Sequence, residues 1–292
     1  MMRVTGVLFL VGAMFLSPRA VHGDILLKED FEEPLTIVPW MQKGGWYGSK
    51  LGEGKRITEE TAASGSKCLK ITTEKGTKGP LGFFHKVRPT EVMYARYYRM
   101  FEKDWEWWDE GYGPHDTEIY GGEFQNPTTK DIGIYTDFWL TGDTIARAGT
   151  PLQKGTPKLS RDWLREHYKQ LTPGNGLPWN VAPPDKIVPG KWFWVETMAQ
   201  MSTPGKEDGI VKLWVNGKLV TDCPDLPLRD AEHADIKFDL WFLGPYNHPG
   251  VPKTQSSYID AIVISTEPIG PLPDEEKSTF LREQEAKSAG KE

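Results

Sequence analysis

Two stretches of this chain gather side chains that can hold an anion and move a proton. The first, Tyr94-Ala95-Arg96-Tyr97-Tyr98-Arg99-Met100-Phe101, alternates basic and aromatic residues. In an extended strand, period two puts Tyr94, Arg96 and Tyr98 on one face and Tyr97, Arg99 and Phe101 on the other. One face must join a core, so at least one arginine is either paired inside or exposed on a groove. An arginine that covers apolar surface or bridges a carboxylate is the purely structural alternative. The second stretch, Gly113-Pro114-His115-Asp116-Thr117-Glu118-Ile119-Tyr120-Gly121-Gly122-Glu123-Phe124-Gln125, brings a histidine, carboxylates, tyrosine and an amide to the start of a strand. Its glycine pair lets another chain or a ligand approach closely. Histidine is the natural proton-transfer residue near neutral pH, and His115 could act with Tyr135 or with an arginine from a neighbouring strand. The alternative is a loop histidine that caps backbone groups.

Other chemistries lack their signatures. The chain has no glycine-rich phosphate loop, no H-E-x-x-H, no G-x-S-x-G and no paired-cysteine metal spacing. A formal net charge of −6 argues against general nucleic-acid binding, which needs a broad basic surface.

The elements that must position these residues are strands. Twelve Trp, ten Tyr and twelve Phe accompany 30 Gly and 23 Pro, a composition of strands and turns. Alternating β-branched and aromatic residues predict strands over 25–31, 55–58, 67–73, 81–87, 92–101, 119–124, 132–140, 192–201, 210–215, 218–221, 238–243 and 258–265. Between Val211 and Val220, Asn216-Gly217 supplies the two positive-φ positions of a type I′ hairpin. Hairpin spacing without βαβ alternation predicts an all-β fold, a two-sheet antiparallel β-sandwich of the concanavalin A-like jelly-roll kind with a short helical insertion.

The chain divides into a leader, one domain and a tail. Arg3 precedes the apolar run Val7 to Leu16, too short to span a bilayer. It reads as a signal peptide over 1–23 with cleavage after Gly23, so the expected location is secreted or periplasmic. No later segment reaches transmembrane length, so no membrane insertion is expected. The jelly-roll domain covers 24–270 and contains an insertion at 143–187. From Asp143 to Lys186 that insertion carries seven Lys/Arg against four Asp/Glu, and Ser160 to Lys169 reads as a short helix with Ser160 as N-cap. It is either a solvated excursion pinned by Trp163 and Leu164 or a lid facing a ligand. The polar tail, 271–292, reads as a frayed helix or a disordered end without chemistry. Cys68 and Cys223 form either one disulfide or two unpaired thiols; Cys68 alternates with Leu69 and Ile71 and so points away from the core they form.

The residues carry a resemblance. Trp192-Phe193-Trp194-Val195-Glu196, then Met201-Ser202-Thr203-Pro204-Gly205-Lys206-Glu207-Asp208-Gly209-Ile210, then Leu213-Trp214-Val215-Asn216-Gly217, resembles the W-x-x-(V/I)-E … N-T-P-G-x-x-D-G … W-x-(D/N)-G stretch of the alginate-lyase-like polysaccharide lyases of family 14. Tyr94-Ala95-Arg96-Tyr97-Tyr98 with Phe101 resembles their Y-x-R-Y strand, and Tyr258 to Ser265 is similar to the closing strand of many secreted jelly-roll domains. The likeness spans roughly 24–270 and is strong over Trp192 to Gly217. It implies a jelly roll with a concave groove that cuts uronate polymers by β-elimination. One departure is important: where that family has a Gly-Gly-Lys-Leu-Pro-Gly stretch with a catalytic lysine, this chain has Gly111-Tyr112-Gly113-Pro114-His115-Asp116-Thr117 and no lysine to carry over.

β-Elimination requires a neutralised uronate carboxylate, a base for the acidified C5 proton and an acid for the departing oxygen. Arg96 or Arg99, with Gln125 or Asn126, meets the first need; His115 is the candidate base, and Tyr135 or Tyr120 the acid or base. Tyr98 and Trp139 complete the candidate substrate contacts. The expected partner is an anionic polysaccharide, the expected state a monomer, and no cofactor is called for. A structural calcium is conceivable where the first and last strands pair and bring Glu29 and Asp30 toward Asp260; the alternative is an Asp260 that satisfies backbone amides. Two other functional classes compete. A non-catalytic carbohydrate-binding or adhesion module would stack sugars on Trp105, Trp107, Trp108, Trp139 and Trp179. A glycoside hydrolase would use a carboxylate pair, Asp116/Glu118 or Glu118/Glu123, although the E-x-D-x-E strand typical of jelly-roll glucanases is absent.

Overall fold

The computed structural model describes residues 23–35, 37–38, 46–48, 51–52, 54–80, 82–107, 114–121, 134–141, 145–148, 152–153, 187–247 and 250–290. They form two antiparallel sheets and one helix, the sandwich read from the sequence. Sheet A contains β1 (Ile25–Glu29), β4 (Lys55–Thr58), β5 (Cys68–Thr73), β7 (Val92–Phe101), β12 (Phe193–Gln200), β13 (Gly209–Val215), β14 (Lys218–Leu226) and β16 (Gln255–Ser265). Its order is β14-β13-β12-β7-β16-β5-β4, with β1 also on β16. Sheet B contains β2 (Ile37–Val38), β3 (Trp46–Gly48), β6 (Phe83–Thr90), β8 (Pro114–Gly121), β9 (Ile134–Thr141), β10 (Ile145–Ala148), β11 (Leu152–Gln153) and β15 (Phe238–Asn247). Its order is β10-β9-β8-β15-β6-β3-β2, with β11 also on β9. Among the described strands, the one parallel pair is the short β2–β3 contact.

The predicted strands correspond to β1, β4 to β9 and β12 to β16, except that the strand expected over 119–124 begins at Pro114, with 122–124 outside the described residues. The short strands β2, β3, β10 and β11 were not expected, the last two arising within the insertion. Asn216 and Gly217 turn β13 into β14 with φ of 49° and 79°, the positive-φ pair of the predicted hairpin. The predicted leader and the predicted helix Ser160 to Lys169 lie outside the described residues.

The centre of sheet A is buried on both faces. On β7, Met93, Ala95, Tyr97 and Phe101 join the core between the sheets, with Leu69, Ile71, Phe83, Ile119, Val195, Leu213, Trp241 and Ile264. The alternate residues Tyr98 and Met100 belong to a second apolar cluster with Cys68, Trp192, Tyr258, Leu272 and Leu281. All eleven residues of β16 are consequently buried. That second cluster corrects the expectation for the tail. Residues 266–278 run across the outer face of sheet A, and helix α1 (Thr279–Ala289) docks on it through Leu281. Polar anchors hold the segment: Glu196 accepts from the amides of Ile269 (3.1 Å) and Gly270 (2.8 Å), and the Tyr98 hydroxyl accepts from the Leu272 amide (3.0 Å). Ser278 caps α1 through the Leu281 amide, and Gln284 makes two bonds with the Trp192 backbone.

β1 pairs with β16, as expected, yet the carboxylate at the pairing site serves the backbone. Asp260 accepts from the amides of Ala63 (2.7 Å), Ser64 (2.9 Å) and Ala261 (2.6 Å), and Glu29 accepts from the Phe31 amide. Among the described residues, no group of three or more His, Cys, Asp or Glu side chains is placed to hold a metal ion. No helix among them is long and apolar enough to cross a membrane. Both cysteines are free: Cys68 lies in the outer cluster under the tail and Cys223 in the core between the sheets, so the β-sheet itself separates the two thiols.

Two outcomes follow from this packing. Neither cysteine should react with a thiol reagent in the native protein, and both should in denaturant without reductant. Truncation after Pro271 should expose Cys68 alone to the reagent and lower the denaturation midpoint, because it uncovers the outer cluster. His85 lies on β6 between the inward positions Phe83 and Val87. Burial lowers its pKa to about 4 from the ordinary value near 6.5. The neutral histidine therefore contributes stability that is full above the unfolded value and is lost as pH falls toward 4. Urea midpoints measured from pH 7 to pH 4 should fall less steeply in His85→Leu than in the parent.

Candidate functional site

Three rows of register partners cross sheet B. The register aligns Tyr135 of β9 with Tyr120 of β8, Leu240 of β15 and Lys86 of β6. A second row runs Asp137, Glu118, Phe242, Phe84 and Tyr47, and a third joins Trp139, His115 and Tyr246. Of the sequence-predicted residues, Tyr120 is thus paired with Tyr135 and His115 with Trp139 on two neighbouring strands. Gln125 and Asn126 lie outside the described residues.

The start of β8 is irregular on both sides. The ladder is broken between His115 and Thr117, where β8 has one residue more than β9, and between Leu243 and Tyr246, where β15 has one residue more than β8. At the other end of β8, Gly121 answers a packing need. A Cβ there would lie 2.6 Å from the Lys237 carbonyl, so the close approach that the glycine permits is to the neighbouring strand.

The outer face of sheet B has an apolar floor and charged margins. Tyr120 and Leu240 are buried against Phe84 and Phe242, whose ring centroids are 4.5 Å apart. The Tyr120 hydroxyl donates to the Glu118 carboxylate. Lys86 keeps about half of its side chain in solvent, 3.6 Å from Asp239, whose carboxyl burial pushes above the usual range. At the far end Tyr246 is exposed and Lys78 lies over its ring, 5.2 Å from the centroid. The floor can support a sugar ring, and the two lysines can meet a carboxylate.

The arginine strand is placed elsewhere. Arg96 and Tyr98 lie on the outer face of sheet A beneath the C-terminal segment, at 3% and 2% exposure, with the guanidinium 5.5 Å from the Tyr98 ring centroid. Arg99 faces the core between the sheets, where its Nη2 lies 3.1 Å from Oδ1 of Asp116 with both side chains at 0% exposure. These placements correct three expectations: Arg96, Arg99 and Tyr98 cannot touch a polymer, because each is sealed by packing on its own side of sheet A. They also remove the Asp116/Glu118 carboxylate pair, since Asp116 belongs to the interior; Glu123 lies outside the described residues. Burial raises the Asp116 carboxyl, with Arg99 and Tyr97 acting in the other direction. Trp105 and Trp107 pack on Phe101 at centroid distances of 4.7 and 4.8 Å, the first buried and the second partly buried; Trp108 and Trp179 lie outside the described residues.

Sequence reasoning missed Lys78, Lys86 and Tyr246. Lys86 was findable, since it lies two residues from Phe84 on a predicted strand. Tyr246 follows Gly244-Pro245, which reads as the end of a strand; β15 continues past them through an irregular step to Asn247.

Neither a family model nor a curated protein sequence matches this chain. Among solved structures it is similar to an alginate lyase from a Chlorella virus, at 13% identity over 77% of this chain and 93% of that one, with a TM-score of 0.52. It is also similar to a marine family 14 alginate lyase from Aplysia kurodai (16% identity, 73% and 87% of the two chains, TM-score 0.48). A third similar structure is an endo-β-1,4-glucuronan lyase from the fungus Trichoderma reesei (11% identity, 82% and 95%, TM-score 0.46). At 13% identity the likeness to the Chlorella virus enzyme is one of fold, and this chain has that jelly-roll sandwich fold.

Proposed function

We propose that this protein is a secreted polysaccharide lyase that cuts an anionic, uronate-containing polymer by β-elimination on the outer face of sheet B. The observation that supports the reading is the register of β8 and β9, which pairs Tyr120 with Tyr135 and His115 with Trp139, next to the apolar cluster of Tyr120, Leu240, Phe84 and Phe242. The fold shared with the Chlorella virus alginate lyase supports the class of reaction. The polymer lies along the face with a sugar over the floor of Phe84 and Phe242. Lys86, with Gln125 and Asn126, neutralises the uronate carboxylate, the role that the buried arginines cannot fill. His115 takes the C5 proton, the electron pair forms the C4–C5 double bond, and the C4–O bond breaks. Tyr135 protonates the departing glycosidic oxygen. Tyr120 is committed to Glu118 and shapes the floor, and Trp139 stacks on a neighbouring sugar.

The test is the ultraviolet absorbance of a conjugated unsaturated uronate during incubation with alginate, glucuronan, pectate and glycosaminoglycans. One polymer should give a rising signal. His115→Ala should lower kcat by about 100-fold or more, and Lys86→Met should lower kcat/KM by about tenfold or more. A flat trace with retained binding to one polymer would replace the lyase by a binding module of the same fold. Reducing ends without the chromophore would point to a hydrolase.

A further inference from the structure

Two glycines set the lie of the Phe242 ring. A Cβ at Gly82 would stand 2.4 Å from that ring, and a Cβ at Gly244 would also stand 2.4 Å from it. Phe242 therefore rests against the backbone at both positions, partly buried, with the Phe84 ring beside it. Beyond the ring, neither glycine position puts a side chain in the way of a polymer.

Cations stand on either side of this stretch. Lys78 and Lys86 are each four residues from Gly82, so neither Cα is more than about 14 Å from it. Their surroundings differ. Lys86 lies 3.6 Å from the Asp239 carboxylate. Lys78 is exposed and has no carboxylate partner among the described residues, and its ammonium lies 5.2 Å from the centroid of the Tyr246 ring. The backbone that carries it is nonetheless fixed. Asn247, at the end of β15 and 5% exposed, donates to the Lys78 carbonyl from its backbone amide (2.6 Å) and from its side chain (3.4 Å). The Gly76 amide donates to the Val251 carbonyl (2.9 Å), and the Val251 amide to the Thr77 carbonyl (3.1 Å). The loop of Lys78 is thus tied to the strand that carries Phe242 and Tyr246. A cation on a fixed loop, resting on an aromatic ring and not neutralised by a carboxylate, loses little freedom when an anion meets it.

We infer that Lys78 is a second carboxylate-binding position of this face, one that takes the uronate of a sugar beyond the sugar on Phe242 and so selects polymers with carboxylates on more than one sugar of the bound stretch. Lys78 binds substrate and takes no part in making or breaking bonds. The inference rests on the reading of the outer face of sheet B as the polymer site, and it requires binding there rather than cleavage.

Lys78→Met tests it, because methionine keeps an unbranched stem over the Tyr246 ring and removes the charge. Affinity electrophoresis in gels that contain alginate, glucuronan or pectate measures binding whether or not the polymer is cut. At least one polymer should retard the parent, Lys78→Met should bind it about tenfold or more weakly, and Lys78→Arg should stay within about threefold of the parent. Lys206→Met removes the same charge from the turn between β12 and β13 in sheet A and should bind as the parent does. An equal loss in Lys206→Met would make the effect one of net charge and overturn the inference. Oligomers of a cleaved polymer give a second readout: the loss in Lys78→Met should appear in KM, and only for oligomers longer than the shortest one cleaved, because the added sugar is what reaches Lys78. A loss that is the same at every length, or a folded Lys78→Met protein with the parent's affinity, would also overturn it. If a polymer is bound through Lys78 and no chromophore forms, the lyase reading fails and the binding position stands; if the parent binds none of the three polymers, both fail.

Discussion

Burial of β7 and β16 on both faces is the constraint from which the rest of the molecule takes its form. A central strand covered on both sides cannot leave a polar group to water, so each one must find a partner within the protein. Asp260 gathers three amides, Glu196 gathers two, and the Tyr98 hydroxyl takes the Leu272 amide. On the inner face, Arg99 meets Asp116 from the opposite sheet. The C-terminal segment follows from the same demand, because without it the face that carries Tyr98, Met100 and Cys68 would be open.

This arrangement divides the work between the sheets. Sheet A is committed to structure, with the tail as its cover. The outer face of sheet B has an apolar floor of Tyr120, Leu240, Phe84 and Phe242, with Lys86 at its margin and Lys78 over the exposed Tyr246 ring. The two phenylalanines of that floor are partly buried, so a sugar ring can pack on them without unfolding the sheet.

The strand content and hairpin chemistry were legible because period-two alternation and an Asn-Gly turn are local signals, fixed by neighbours in the chain. The pairing of β8 with β9 was half legible. Their strands could be found, and Tyr120 opposite Tyr135 needs only a correct pairing. That His115 stands opposite Trp139 depends on an irregularity between His115 and Thr117 that composition does not announce. The arginines show the opposite limit. Alternation correctly divides Arg96 from Arg99, but whether a face is covered depends on Leu272, Leu281 and Asp116, which are distant in sequence.

By itself, then, the sequence determined which segments extend, where β13 turns, and that Arg96 and Arg99 occupy opposite faces of one strand. Those properties follow from backbone sterics and side-chain types within a few residues. The tertiary structure decided which strands are sealed, that the tail is a docked helix, that Cys68 and Cys223 stay apart, and that β8 breaks its register between His115 and Thr117. Each of those depends on contacts between residues far apart in the chain, where burial and the pairing of charges outweigh local preference.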